Sequence, residues 1–339
     1  MKLPCILAAS AALSLLAGCH GGADINISTG CSPTSVTSAA TVGTPLTGTS
    51  FAYQLQGADP SAIAATHFQV MVMDYSADGT AAGAYTAQQI ASLHHAGKLA
   101  LAYVSIGEAE SYRYYFSPSW LTGNAPSASA PCWLGHVNPD WPGNFAARYW
   151  SEDWQQLILK YMDKVVAQGF DGVYLDKVDE FQYWSDPNNG DTTELAPADA
   201  ARYMIAFVRR IADHVRNGSG KPGFLIVPQN GEDLLSYDAD GAFLQTVSGL
   251  GVEDLFYDAT VPVAADETAF RESLLDRVAN AGRGILVTDY VDDGSGYAGA
   301  NKARIDDFIA KTRAAGYIPY AARSDRALDS LNIIPGVQE

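Results

Sequence analysis

Acids crowd the end of one apolar run. Asp176, Asp179 and Glu180 follow closely on Val173, Tyr174 and Leu175, with Gly172 in front of them. A short apolar run bounded in this way reads as a buried strand that emerges at its carboxyl end. Carboxyl groups delivered there can pass protons, attack an electrophilic carbon or hold a cation. The pattern recurs along the chain. Asp74 ends the run from Phe68, Glu108 ends the run from Lys98, Glu253 follows Gly249 to Val252, and Asp289 ends the run from Gly284. Gln229 and Asn230 end the run from Phe224, and Tyr75, Tyr103 and Tyr290 stand beside these positions.

Strand ends converge only when the strands are parallel and deliver them to one face. Strands are predicted at 51–55, 68–75, 98–108, 173–175, 224–230, 249–257, 284–290 and 317–322. Helices are predicted at 86–96, 150–168, 197–216, 266–281 and 301–315, with a short one at 325–331. Gly97 and Gly316 stand where helices stop, and Pro197 suits a first turn. Strands alternating with helices along 339 residues predict an α/β fold, a (β/α)8 TIM barrel in a single domain. No GxGxxG turn or other phosphate-binding glycine loop occurs, which sets a doubly wound open sheet aside. The stretch from 109 to 145 is too long for an ordinary connection. It carries Tyr112, Tyr114, Tyr115, Phe116, Trp120, Trp133 and Trp141.

In such a barrel Asp176 and Glu253 satisfy the geometry of a catalytic pair. Glycoside cleavage needs one carboxyl group to protonate the leaving oxygen and another to attack the anomeric carbon or activate water, about 5 to 9.5 Å away. The ends of the fourth and sixth strands are two spacings apart, about 10 Å along the wall. Side chains leaning inward bring that separation into range. Pyranose faces are apolar, so the aromatic insertion suits stacking on sugar rings. Asp74, Tyr75, Tyr103, Glu108, Asp179, Gln229, Asn230, Asp289 and Tyr290 are then expected as substrate contacts or as neighbours that tune the carboxyl groups.

The formal net charge is -17, which argues against nucleic acid, since phosphate attracts Lys and Arg. A neutral or cationic polar substrate remains compatible. His67, His94, His95, His136 and His214 are scattered, without HxH or HExxH spacing, and no GxSxG elbow occurs. No metal and no cofactor are expected for the leading reading. Acid-only sites can bind Mg²⁺ or Ca²⁺, so a metal-dependent hydrolase on the same barrel is one alternative. A carbohydrate-binding protein without catalysis is another.

The amino terminus reads as a targeting segment. Lys2 supplies the positive region, residues 6–16 a short apolar run, and Leu16-Ala-Gly-Cys19 follows. Small residues before Cys19 resemble the bacterial lipobox, which implies removal of residues 1–18 and lipidation of Cys19. Residues 19–48, rich in Ser, Thr and Gly, read as a tether. The catalytic domain is expected from 49 to 339. The protein is therefore expected to be exported, anchored to the cell envelope through lipid, and monomeric. Of four cysteines, Cys5 leaves with the signal and Cys19 takes lipid, so Cys31 and Cys132 are expected to pair.

Four blocks, in order, resemble glycoside hydrolase family 114. They are LAYVSIGE at 101–108, VYLDKVD at 173–179, VPQNG at 227–231 and GVEDLFY at 251–257. The resemblance runs from Phe51 to Ala322. It implies an endo-α-1,4-polygalactosaminidase of the retaining kind, with Asp176 as nucleophile and Glu253 as acid/base. It also implies a polymer of α-1,4-linked galactosamine as substrate.

Overall fold

The computed structural model describes residue 31, residues 41–191 and residues 195–339. Eight parallel strands form the barrel wall: β1 (Phe51–Gln54), β2 (Val70–Asp74), β3 (Leu99–Ser105), β4 (Gly172–Asp176), β5 (Leu225–Pro228), β6 (Gly249–Glu253), β7 (Gly284–Asp292) and β8 (Ile318–Arg323). Their side chains are almost all buried on both faces, as expected when helices cover a parallel sheet from outside. β1 to β5 pair in sequence order, and so do β6 to β8. A parallel bridge between Gln229 and Gly251 joins β5 to β6. The ring closes where Phe51 of β1 meets Tyr320 of β8, with ring centroids 5.6 Å apart.

The helices follow from their caps and faces. Thr86 and Gln89 form a capping box at the start of Ala87–His95. Pro197 opens Pro197–Asp213, which turns Met204, Phe207, Val208 and Ile211 inward at helical spacing. The predicted continuation to 216 is a separate wider turn, His214–Gly218. The short helix expected at 325–331 does not form. Arg326 and Leu328 have left-handed backbone there, φ 57 and 47, and the Leu328 carbonyl accepts from the Leu55 and Gln56 N–H groups.

Two segments extend the barrel. The long connection after β3 folds into a small antiparallel sheet, Glu108–Glu110, Asn144–Ala147 and Leu134–Val137 in that order. Its ring cluster lies underneath rather than facing a ligand. Trp133 packs on Trp154 at 4.8 Å, Trp120 on Trp133 at 5.4 Å and Phe116 on Phe145 at 5.6 Å. Only Tyr112 and Trp141, both exposed, reach the cavity described below. Cys31 and Cys132 form a disulfide, Cα atoms 5.9 Å apart, that ties the amino-terminal segment to this insertion. The second segment is 41–48, expected within the tether. It packs on the barrel instead: Leu46 is buried, its N–H donates to the Ser248 carbonyl, and buried Arg216 donates to Thr41 Oγ1 at 3.2 Å. The packed unit thus reaches upstream of 49. The signal segment, Cys19 and most of the tether lie outside the described residues. No helix among the described residues is long and apolar enough to cross a membrane.

Candidate active site

β4 and β6 flank β5, and their carboxyl ends deliver Asp176 and Glu253 to one cavity of about 850 Å³, within the usual size of a ligand site. Residues two apart on a strand share a face, so Tyr174 lies below Asp176 and Gly251 below Glu253. Tyr174 fills the barrel interior. A Cβ on Gly251 would stand 1.9 Å from the Tyr174 hydroxyl, so only glycine fits there. The Tyr53 ring packs on Tyr174 at 5.4 Å, and its hydroxyl donates to Gln229 Oε1 at 3.2 Å. These buried side chains form a floor under the two acids.

The two carboxyl groups have different surroundings. The Tyr103 hydroxyl donates to Asp176 Oδ2 at 2.5 Å. Burial pushes the Asp176 carboxyl up to about 6, while the Tyr103 bond and the Lys177 charge hold it down. Glu253 accepts from the Tyr290 hydroxyl through Oε1, and Asn230 Nδ2 stands 3.4 Å from Oε2. Asn230 Oδ1 also accepts the Glu253 backbone N–H at 2.9 Å. Burial pushes Glu253 up to about 7. The Tyr290 bond opposes this, and the charges of Asp176 and Asp254 add to it. Two carboxyls in one pocket thus separate into a stronger and a weaker acid.

A second group of acids gathers beside Asp176 around one lysine. Lys177 Nζ lies 3.1 Å from Glu108 Oε1 and 3.5 Å from Glu180 Oε2. Asn138 Nδ2 donates to Glu108 Oε1 at 2.8 Å. Burial raises the Asp179 and Glu180 carboxyls, with Lys177 opposing. Lys177 takes a left-handed backbone, φ 58, and its carbonyl would come within 2.1 Å of a Cβ on Gly107. Glycine at 107 therefore makes room for the turn that aims Lys177 at the acids. Beyond Glu108 on the same short strand, Glu110 meets Arg113, which is fully buried and joins two carboxylates. Its Nη1 lies 2.6 Å from Asp74 Oδ2 and its Nε donates to Glu110 Oε2 at 2.6 Å. Its guanidinium sits over the Tyr112 ring at 4.9 Å. Burial pushes Asp74 up to about 7 against the pull of Arg113.

Of the residues chosen from sequence, Asp74, Tyr103, Glu108, Asp176, Asp179, Gln229, Asn230, Glu253 and Tyr290 line this cavity. Tyr75 and Asp289 do not. The Tyr75 ring packs on Tyr161 at 5.0 Å and its hydroxyl donates to the Gly79 carbonyl. Asp289 is fully buried and accepts the backbone N–H groups of Leu255, Phe256 and Tyr257 at 2.8 to 2.9 Å. It therefore shapes the turn after Glu253 and touches no ligand space. The sequence reading missed Tyr53, Glu110, Lys177 and Arg326, which also line the cavity. Lys177 was legible in principle, lying between two chosen acids. Arg326 and the buried Arg113 sit in loops without periodicity and gave no signal. Among the described residues no group of three or more His, Cys, Asp and Glu side chains converges so as to hold a metal ion.

Comparison with known proteins places this geometry. An uncharacterized protein of Methanocaldococcus jannaschii is 48% identical over 282 residues, 83% of this chain and 78% of that one. One from Thermotoga maritima is 45% identical over 286 residues, 84% of each chain. The glycoside hydrolase domain of PelA from Pseudomonas aeruginosa superposes with a TM-score of 0.59 at 20% identity, covering 84% of this chain and 97% of that domain. Ega3 of Aspergillus fumigatus, solved in complex with galactosamine, gives 0.57 at 18% identity, covering 85% of this chain and 96% of that one. These structures share the barrel. The family model for glycoside hydrolases GH114 matches residues 32–338, and with that span the chain belongs to glycoside-hydrolase family GH114.

Proposed function

We propose that this protein is a retaining, endo-acting glycosidase that cleaves α-1,4-linked galactosamine-containing polysaccharide. The observation that carries the reading is that the ends of β4 and β6 bring Asp176 and Glu253 to one cavity, each carboxyl held by a tyrosine hydroxyl. Asp176, held by Tyr103 and Lys177, is the stronger acid and is ionised first. Glu253, beside the charges of Asp176 and Asp254, keeps its proton to higher pH. In the first step an Asp176 oxygen bonds to the anomeric carbon as the glycosidic bond breaks. The leaving oxygen takes the Glu253 proton. In the second, Glu253 removes a proton from water, water oxygen bonds to the anomeric carbon, and Asp176 leaves as carboxylate. Surplus acid on the walls suits a cationic amino sugar, and Ega3 was solved with galactosamine. Exposed Trp141 and Tyr112 suit stacking of neighbouring rings at the rim. Export and lipid attachment at Cys19, in a monomer, complete the proposal.

The test is incubation of the purified protein with partly de-N-acetylated α-1,4-galactosamine polymer, products being read by mass spectrometry. An oligomer ladder that vanishes in Asp176→Asn and Glu253→Gln supports the reading. NMR of the first-formed anomer separates retention from inversion. A polymer that is retained on the protein but never cut would refute catalysis and favour a binding protein. Cleavage abolished by chelation would favour the metal-dependent alternative.

A further inference from the structure

Arg326 enters the cavity from the turn after β8, on a backbone of φ 57. Residues with a Cβ seldom hold that conformation unless contacts impose it. The contacts are plain. Its guanidinium makes a two-point pair with Asp254, Nη1 to Oδ2 at 3.0 Å and Nη2 to Oδ1 at 2.9 Å. Nη2 also donates to Asp258 Oδ1 at 2.7 Å. The same group lies over the Tyr290 ring, 4.3 Å from its centroid. Both principal partners act directly on Glu253. Asp254 is its chain neighbour, itself left-handed at φ 51, and Tyr290 donates its hydroxyl to Glu253 Oε1. A single side chain thus holds the backbone behind Glu253 and the ring in front of it.

We propose that Arg326 is a positioning residue for Glu253: it fixes the carboxyl through Asp254 and Tyr290 and acts on its proton through charge. The inference rests on Glu253 being the acid/base. The cavity contains two basic lining residues, Lys177 beside Asp176 and Arg326 beside the Glu253 unit. Each carboxyl of the pair therefore has a cation in its surroundings, one that pairs with neighbouring acids. A fork-shaped guanidinium suits Arg326's task, since it can pair a carboxylate at two points while stacking on a ring.

The charge balance at Glu253 sets the sign of the test. Asp176 from β4 and Asp254 next in sequence make its proton harder to lose, and Arg326 makes it easier. Asn230 from β5 is neutral, and Tyr53 and Tyr174 below stay protonated because burial raises them. Around Asp254, Asp258 opposes ionisation and Arg271 from the helix Ala265–Asn280 favours it. Arg271 also donates to the Asp254 carbonyl at 2.9 Å and pairs with Glu232 at 2.6 Å. Removing Arg326 takes away the cation that offsets these anions at Glu253. Removing the Asp254 charge does the reverse.

The experiment titrates the carboxyl ¹³C resonance of Glu253 in the full chain, labelled at glutamate and assigned with Glu253→Gln. In parallel, the alkaline limb of kcat/KM is followed against pH. Arg326→Gln is expected to move both upward by a few tenths of a pH unit or more, and Asp254→Asn to move both downward. Arg326→Lys keeps the charge but not the fork, so its titration stays near wild type while kcat falls several-fold. Shifts of the same sign in Arg326→Gln and Asp254→Asn, or none in either, would reduce Arg326 to a loop latch and overturn the proposal. Should Arg326→Gln fail to fold, the downward shift in Asp254→Asn and the split in Arg326→Lys decide it. The NMR titration needs no substrate, so a protein that cuts no galactosamine polymer leaves this inference separately testable.

Discussion

Tyr103→Phe isolates one hydrogen bond in the proposed mechanism. The substitution removes a buried hydroxyl that donates to Asp176 Oδ2 at 2.5 Å and leaves the ring in place. A hydrogen bond to an ionised carboxylate is worth about 1.5 to 3 kcal/mol, and 1.36 kcal/mol corresponds to roughly one pKa unit. The bond holds Asp176 down, at about 6, so its loss raises the carboxyl by about one to two units. Asp176 must be ionised to attack, so the acid limb of kcat/KM moves up by that amount. Glu253 must be protonated to act, and it lies at about 7. In the variant the nucleophile becomes as weak an acid as Glu253 or weaker, and the correctly protonated fraction near neutrality falls roughly twofold to tenfold from titration alone. The assay is kcat/KM from about pH 4.5 to about pH 9 on the polymer or on an aryl α-galactosaminide, with thermal melts as a control for folding. An acid limb that stays in place in a well-folded Tyr103→Phe protein would refute the argument that this bond keeps the nucleophile ionised.

Other outcomes follow from the same structure. Asp289→Asn leaves fewer acceptors for the N–H groups of Leu255, Phe256 and Tyr257. It is expected to cost about 2 to 4 kcal/mol in urea unfolding and to lower activity by loosening the turn after Glu253. An unchanged midpoint would show that the turn holds without this acid. Reducing the Cys31–Cys132 disulfide, which spans a sequence separation of 101, is expected to lower stability by about 2 to 5 kcal/mol. Equal denaturant midpoints with and without reductant would contradict that. Asp74, Glu253 and Asp289 lie at about 7 and Asp176 at about 6, each above its ordinary carboxylate value because of burial. Between about pH 4 and about pH 7 the folded protein then binds more protons than the unfolded chain, so stability falls as pH rises. The melting temperature is expected to be roughly 5 °C or more lower at pH 8 than at pH 5. A melting temperature rising over that range would reverse the assignment.

Much of the site was legible because strand ends are punctuated by chemistry. Asp176 and Glu253 follow short apolar runs that read as buried strands, and parallel strands in a barrel end on one face. Adjacent positions were the weak point. Asp74 with Tyr75, and Asp289 with Tyr290, were both chosen, yet neighbouring residues on a strand point to opposite faces. Only Asp74 and Tyr290 line the cavity. The aromatic insertion misled for a related reason. Seven rings in one loop provide no period from which to choose the exposed ones, and most pack under the loop with Trp154 and Phe145.

Composition and pattern alone were enough for the barrel, the succession of its strands, the meeting of Asp176 and Glu253 in one cavity and the cysteine pair, because each depends on local hydrophobic period or on a short inventory of residues. The tertiary structure alone decided which side of the wall each acid faces. It also decided that residues 41–48 pack on the barrel, and that Arg113, Lys177 and Arg326 stand among the acids. Those placements depend on strand register and on loop paths, set by contacts between residues far apart in the chain. Arg326 meets Asp254 across 72 positions, and no local pattern could have joined them.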